Sequence, residues 1–251
     1  MRGVGIIGTG RHGSRYVHNI INDIEGLELK AIARRSQEGA EQAASWGVFW
    51  YRDWQDLITD PSVDAVIAVV PPALNPAIAR SCAREGKPLL MEKPLGRNSL
   101  EAAEIVTVMN AASTPLTVGQ TLRYNPVIRS LRSRIAEMGA LYSFSANQRL
   151  EPSSLAWHDE RETAGAGVLI HTAIHVFDAL CFITGLKVEF PQKIITTWRS
   201  RDEGYKPVAH ILQSHSKDVP VILPAGLKRD SNFGHTIISA APAGSSPEKW
   251  H

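Results

Sequence analysis

Glycines at positions 8, 10 and 13 constrain this chain more than any other feature. Gly8-Thr9-Gly10-Arg11-His12-Gly13 is a G-x-G-x-x-G run. It directly follows the apolar stretch Val4–Ile7 and opens a helix-like stretch, Ser14–Ile24. A glycine run alone is weak evidence. Between a strand and a helix of one βαβ unit, it is the pattern of a phosphate-binding turn. Gly8 then makes the tight turn, Gly10 admits a pyrophosphate close to the backbone, and Gly13 lets helix and strand pack closely. The helix start adds unpaired N–H groups and the positive end of a dipole. Spacing alone leaves a ligand-free structural turn as the alternative.

The first 120 residues alternate strand-like and helix-like patterns, as a parallel sheet with helices on its faces requires. The apolar runs Val4–Ile7, Leu27–Ala33, Ala65–Val70, Leu89–Met91 and Leu116–Val118 lack polar alternation, as strands buried on both faces do. Helices are predicted over Gln37–Trp46, capped by Ser36 and stopped by Gly47, and over Pro76–Glu85, stopped by Gly86. A further helix runs from a cap at Asn98 or Ser99 to Ala112. Beyond Gln120, helices are predicted over Val127–Met138 and Val168–Thr184, and strands over Leu141–Leu150, Lys193–Trp198 and Val219–Leu223. Ala240–His251, rich in Ala, Ser, Pro and Gly, reads as a loose tail. The aromatics of Trp46–Trp54 read as packing residues rather than an interaction surface.

The end of the second strand bears on the cofactor. NAD sites place a carboxylate there for the ribose 2′-OH. Here the run is Ala31-Ile32-Ala33-Arg34-Arg35-Ser36, and two guanidiniums stand ready for a 2′-phosphate, so NADP(H) is favoured over NAD(H). Solvated surface charge is the competing reading of Arg34 and Arg35.

A net charge of +2, from 27 basic and 25 acidic residues, gives no reason to expect nucleic acid as a partner. Cys82 and Cys181 read as cytosolic thiols with no disulfide or metal role. No stretch has the length of a membrane span and no signal peptide is recognisable, so the expectation is a cytoplasmic protein.

Leu90-Met91-Glu92-Lys93-Pro94-Leu95 carries a buried strand into Glu-Lys-Pro. With the glycine turn, this resembles the glucose–fructose oxidoreductase/inositol dehydrogenase family (Gfo/Idh/MocA). Asp64–Pro71 resembles the family's fourth strand and its following proline, and Gly86-Lys87 fits ahead of the fifth. Arg123-Tyr124-Asn125-Pro126 resembles the element that opens the second domain. Gly165-Ala166-Gly167-Val168-Leu169, followed by His175 and Asp178, resembles the helix with the catalytic histidine. The likeness covers residues 3 to 186.

The resemblance implies an α/β protein with a doubly wound Rossmann domain over residues 1–121. A shortened α+β domain on an open, mostly antiparallel sheet follows over 122–251. It implies hydride transfer at a sugar, cyclitol or related carbon. The cofactor would contact Gly8, Gly10, Arg11, His12, Gly13, Arg34, Arg35, Ser36, Pro71, Glu92 and Lys93. Lys93, Arg123, His171 and His175 would bind substrate, with Lys93, His175 and His171 catalytic. A lysine suits proton transfer because burial lowers its pKa toward the working range, and histidine titrates near neutrality.

His171 and His175 are four residues apart, which on an α-helix puts both rings on one face. His171 stands where the family usually has Asp or Asn, and Asn75 where many members have His. Zinc binding is a rival reading of the histidine pair, but no third ligand or H-E-x-x-H pattern accompanies it. The residues after Gly185 are too few for the family's full second sheet. A homo-oligomer formed through that sheet would cover its exposed face. A non-catalytic cofactor-binding sensor with an incomplete substrate pocket is therefore the competing function.

Overall fold

In a computed structural model of the chain, the described residues are 1–135, 137–138, 141–150, 161–164, 169–185, 193–194, 208–213, 221–227 and 235–242. Six short strands pair in parallel: β1 (Arg2–Ile7), β2 (Leu27–Ala33), β3 (Phe49–Tyr51), β4 (Ala65–Ala68), β5 (Leu89–Met91) and β6 (Leu116–Val118). Their order, β3-β2-β1-β4-β5-β6, is the doubly wound one, with the topological switch between β1 and β4. Helices α1 (Gly13–Asn22), α2 (Glu38–Trp46), α3 (Trp54–Thr59), α4 (Asn75–Arg84) and α5 (Ser99–Ala111) lie between the strands.

Two apolar clusters explain why the strands lack alternation. Ile7, Val66, Ala68 and Met91 pack with Leu57, Ile58, Ile78, Ile105 and Met109 of α3, α4 and α5. Ile6 and Ile67 pack with Val17, Ile20 and Ala43 of α1 and α2. Neighbouring residues on one strand enter different clusters, so both must be apolar. Each buried aliphatic side chain contributes about 1.5–3 kcal/mol. Cys82 belongs to the first cluster, and burial pushes its thiol up to about 12. Both cysteines are free.

Strands β2, β5 and β6 have the predicted bounds. β3 and α3 are absent from the sequence reading: Trp54–Thr59 is too short to show a helical period, and the aromatics of Phe49–Tyr51 read as packing residues. Trp46 and Trp50 pack on one cluster and Trp54 on the other, in keeping with a packing role. Helix α2 starts at Glu38, and the predicted Ser36 cap is not made: the Ser36 hydroxyl accepts from Arg34 Nε at 3.0 Å instead.

By contact the chain divides into two units. Residues 1–119 with α7 (Arg161–Ala164) form the first, and the second begins at Gln120. In the second, α6 (Pro126–Ile135) and α8 (Ile174–Thr184) join faces through Ile128, Ile135, Val176, Ala179, Leu180 and Ile183. The helical spacing of both sets is what makes each face a stripe. The helix predicted over Val168–Thr184 is divided: Leu169–Ala173 is a π-helical turn and only Ile174–Thr184 is α-helical, ending at Gly185 as expected. The predicted Val127–Met138 helix stops at Ile135.

Five further strands pair in the order β11-β7-β10-β9-β8: β7 (Leu141–Leu150), β8 (Lys193–Ile194), β9 (Val208–Gln213), β10 (Val221–Leu227) and β11 (His235–Pro242). β7 and β10 are parallel and the other pairs antiparallel. Ala240–Pro242, predicted to start a loose tail, belongs to β11, where backbone pairing with β7 overrides the composition; the rest of that tail lies outside the described residues, as does the remainder of the predicted Lys193–Trp198 strand. Among the described residues no helix is long and apolar enough to cross a membrane.

Of the two predicted caps for α5, Asn98 is the one used: its side chain accepts from the Glu101 amide at 3.0 Å. This bond fixes where the loop after β5 becomes a helix. Asn98→Ala should cost about 0.5–2 kcal/mol in urea unfolding, whereas Ser99→Ala should stay within about 0.5 kcal/mol. Equal losses at the two positions would reverse the assignment.

Candidate active site

The glycine turn lies at the carboxyl end of β1, beside the switch point. Gly8 has φ +89°, and a Cβ there would come within 2.2 Å of the Val69 carbonyl oxygen. At Gly13 a Cβ would meet the Gly8 carbonyl at 1.9 Å, so α1 can start this close to β1 only with glycine. Gly10 differs, because nothing lies within 4 Å of its Cβ position. Helix α1 receives no side-chain cap at His12, and no hydrogen bond among the described residues uses the Arg11 or His12 amide. Open space, free amides and a helix start are what a dinucleotide pyrophosphate needs, so the turn fits the cofactor it was read for.

Thr9, fully buried, anchors the turn to its neighbours. Its hydroxyl donates to Gln42 Oε1 at 2.7 Å, and its carbonyl accepts from Gln42 Nε2 at 3.2 Å and Arg34 Nη1 at 3.1 Å. Arg34 also pairs with Glu38 and donates to Gln42 Oε1 at 3.1 Å. Its guanidinium is therefore committed to the protein. Arg35 and Ser36 are exposed at the end of β2. Pro71 follows β4 and leads into a short 3₁₀ turn, Pro72–Leu74.

Glu92 and Lys93 follow β5. Glu92 is buried, and its oxygens accept three hydrogen bonds. His12 Nε2 lies 2.9 Å and the Tyr16 hydroxyl 2.5 Å from Oε1, and the Lys93 amide lies 3.1 Å from Oε2. Burial alone would push this carboxyl up, but the donors from His12 and Tyr16 outweigh it and hold its pKa below the ordinary range. Tyr16 is pushed the opposite way, by burial and by its bond to Glu92. Gly119 leaves the space that Glu92 fills, since a Cβ there would lie 3.0 Å from Oε1.

Burial lowers the pKa of Lys93, with the charge of Glu92 opposing. The Lys93–Pro94 peptide is cis. Asn75, buried at the start of α4, donates through Nδ2 to the carbonyls of Pro94 and Leu95, each at 3.1 Å. The position noted for lacking the family's histidine thus braces the lysine turn from beneath.

The first unit therefore gathers Gly8, Gly10, Arg11, His12, Gly13, Pro71, Glu92 and Lys93 around the carboxyl ends of β1, β4 and β5. In the second unit, Arg123 forms a two-pronged pair with Asp178, Nε to Oδ2 at 2.8 Å and Nη2 to Oδ1 at 2.5 Å. That pair raises the guanidinium's pKa further and ties Arg123 to α8. His171 and His175 are both half-buried. Sharing one face at a spacing of four requires an unbroken α-helix. His171 lies in the π turn, where i→i+5 bonding changes the angular offset between them. Among the described residues no cluster of three potential metal ligands occurs.

Sequence reasoning passed over Thr9, Tyr16, Gln42 and Gly119. Thr9 lies inside the motif it had located, and Tyr16 one turn beyond Gly13. Gln42 and Gly119 carry no local signal.

Comparisons with known proteins agree with this architecture. Residues 2–120 match the oxidoreductase family described as having an NAD-binding Rossmann fold. The chain is 26% identical to scyllo-inositol 2-dehydrogenase (NAD(+)) of Bacillus subtilis over 190 residues, 73% of this chain and 54% of that protein. It is 28% identical to 1,5-anhydro-D-fructose reductase of Ensifer adhaerens over 184 residues, 71% of this chain and 55% of that protein. The chain thus spans about half the length of the curated relatives it matches. A solved levoglucosan dehydrogenase, in complex with NADH and levoglucosan, shares the fold with a TM-score of 0.82 at 22% identity, over 96% of this chain and 71% of that one. Residues 2–120, just under half of the chain, thus resemble the Gfo/Idh/MocA oxidoreductases.

Proposed function

We propose that the chain is an NADP(H)-dependent oxidoreductase moving a hydride to or from a hydroxyl or carbonyl carbon of a sugar, cyclitol or related compound. One observation carries this reading: a half-buried lysine of lowered basicity stands at the carboxyl end of β5, fastened to the glycine turn through Glu92. The relatives, named for an inositol, an anhydrofructose and levoglucosan, support the substrate class, since all are polyhydroxylated rings.

The nicotinamide, when bound, accepts or supplies the hydride. Lys93 handles the proton. In oxidation its neutral amine accepts the hydroxyl proton as the hydride leaves carbon, so the alcohol loses both and becomes a carbonyl. In reduction its ammonium stabilises the developing alkoxide and returns the proton. The free amides of Arg11 and His12, with the open approach at Gly10, bind the pyrophosphate. The family resemblance adds His175 as a second proton-handling group and His171 as a contact to a substrate hydroxyl. Arg123, with its fork taken by Asp178, braces the helix that carries His175. The second unit is read as an α+β substrate domain.

For the 2′-phosphate, Arg35 is the guanidinium available, because Arg34 is held by Glu38, Gln42 and Thr9. No carboxylate stands at residues 33–36 to accept from a 2′-hydroxyl.

Lys93→Ala should lower turnover of a polyol found by screening inositols and aldoses by about 10²- to 10⁴-fold, while dinucleotide affinity stays close to wild type. Unchanged turnover would remove Lys93 from the mechanism. In the oxidising direction kcat should rise with pH to a plateau, because the neutral amine is the active form. The midpoint should lie below the ordinary lysine value of about 10.4. A midpoint at or above that value would contradict the burial effect. Titration with NADPH and NADH, read by nicotinamide fluorescence, should give tighter NADPH binding. Arg35→Ala should shrink that preference by about tenfold or more, and an unmoved ratio would leave Arg35 as surface charge.

A further inference from the structure

Glu38 opens α2, yet its carboxylate reaches back to the end of β2. There Oε2 accepts from Arg34 Nη2 and from the Ser36 hydroxyl at 3.4 Å, while Oε1 takes no hydrogen bond among the described residues. Two contacts bring the first turn of α2 this close. The Trp50 indole donates to the Arg34 carbonyl at 3.0 Å, and Gly39 has no Cβ, which would otherwise approach Arg34 Cβ to 2.8 Å and Trp50 Nε1 to 2.5 Å. In a dinucleotide-binding fold, the end of the second strand is where a carboxylate accepts from the ribose 2′-hydroxyl. Residues 33–36 supply none, but Glu38 brings one beside Arg34 and Ser36 by folding back from the helix.

We propose that Glu38 is a specificity-determining residue of the dinucleotide site: its unused oxygen accepts from the 2′-hydroxyl of NAD(H), and its charge opposes the 2′-phosphate of NADP(H). The proposal rests on the reading of the glycine turn as a dinucleotide site, and it sets a limit on the NADP(H) preference that Arg35 confers.

Three features of the structure support it. The first is which charge a ligand meets. The Glu38 side chain is 64% exposed and that of its cationic partner Arg34 only 25%. Arg34 cannot turn outward without giving up its bonds to the Thr9 carbonyl, Gln42 Oε1 and the Ser36 hydroxyl. The second is chemical: an ionised carboxylate only accepts, so Oε1 can take a hydroxyl proton but offers nothing to a phosphate oxygen. The third separates this role from ordinary helix chemistry. An acidic residue in the first turn of a helix stabilises it through the dipole, and Glu41 in the same turn does that equally well. Glu41 is exposed and forms no hydrogen bond or ion pair among the described residues. Only Glu38 is drawn to the strand end.

The test compares dissociation constants of NADH and NADPH, read by nicotinamide fluorescence on the full chain. In Glu38→Ala, NADH should bind about threefold or more weaker and NADPH tighter. The ratio of the two constants should therefore move toward NADPH by about tenfold or more relative to wild type. Glu38→Gln keeps the size of the side chain and removes its charge. It should tighten NADPH by about threefold or more, and it carries the test should the alanine variant fold poorly. Glu41→Gln should leave both constants unmoved.

An unmoved ratio or an undiminished NADH affinity in Glu38→Ala overturns the proposal, as does unmoved NADPH binding in Glu38→Gln. An equal change in Glu41→Gln overturns it too, because the effect would then belong to the charge of the helix and not to the position of Glu38. A wild type that prefers NADH would overturn the NADP(H) reading alone, since the Glu38 effect is measured against the wild type's own ratio. Binding of neither dinucleotide would remove both.

Discussion

A carboxylate taken out of water is costly unless hydrogen-bond donors replace the water it loses. Glu92 is such a group, and satisfying it determines where several distant segments of the first unit lie. His12 comes from the turn after β1, Tyr16 from α1, and the Lys93 amide from the turn after β5. Gly119, just past β6, leaves room for the carboxylate, which a Cβ there would approach to 3.0 Å. The apolar sheet holds these strand ends side by side, and Glu92 converts that proximity into a defined arrangement of the phosphate turn and the lysine. Asn75 and Asn98 secure the same loop at its two ends, one through the carbonyls of Pro94 and Leu95 and the other through the cap of α5.

Much of the first unit was legible because its physics is local. Strands buried on both faces are apolar without alternation, and helices announce themselves through caps and glycine stops. The glycine turn and the Glu-Lys-Pro run could be placed on strand ends from that rhythm alone. Less legible was anything that depends on contacts far along the chain. Arg34 looked like a free phosphate ligand because nothing in its neighbours shows that Glu38, Gln42 and Thr9 would surround it. Asn75 looked like a loss, since its bonds to Pro94 and Leu95 exist only once α4 and the lysine turn are brought together.

The second unit shows the same contrast within a single helix. Gly185 closes α8 where the sequence placed its end, because a C-terminal stop is a local event. The π turn at Leu169–Ala173 has no such signal and alters the angular relation of His171 to His175. A spacing of four residues is informative only while the repeat stays at 3.6. Arg123 is a comparable case: its motif placed it correctly ahead of α6, but its bidentate partner, Asp178, lies on a different helix.

The side-chain donors to Glu92, and the glycine that makes room for it, all come from residues 12 to 119 of one unit. The Glu92 corner beside Lys93 is therefore inherited as a block. Within it, a change at His12, Tyr16 or Gly119 reaches a residue remote in sequence, and such positions can drift only together.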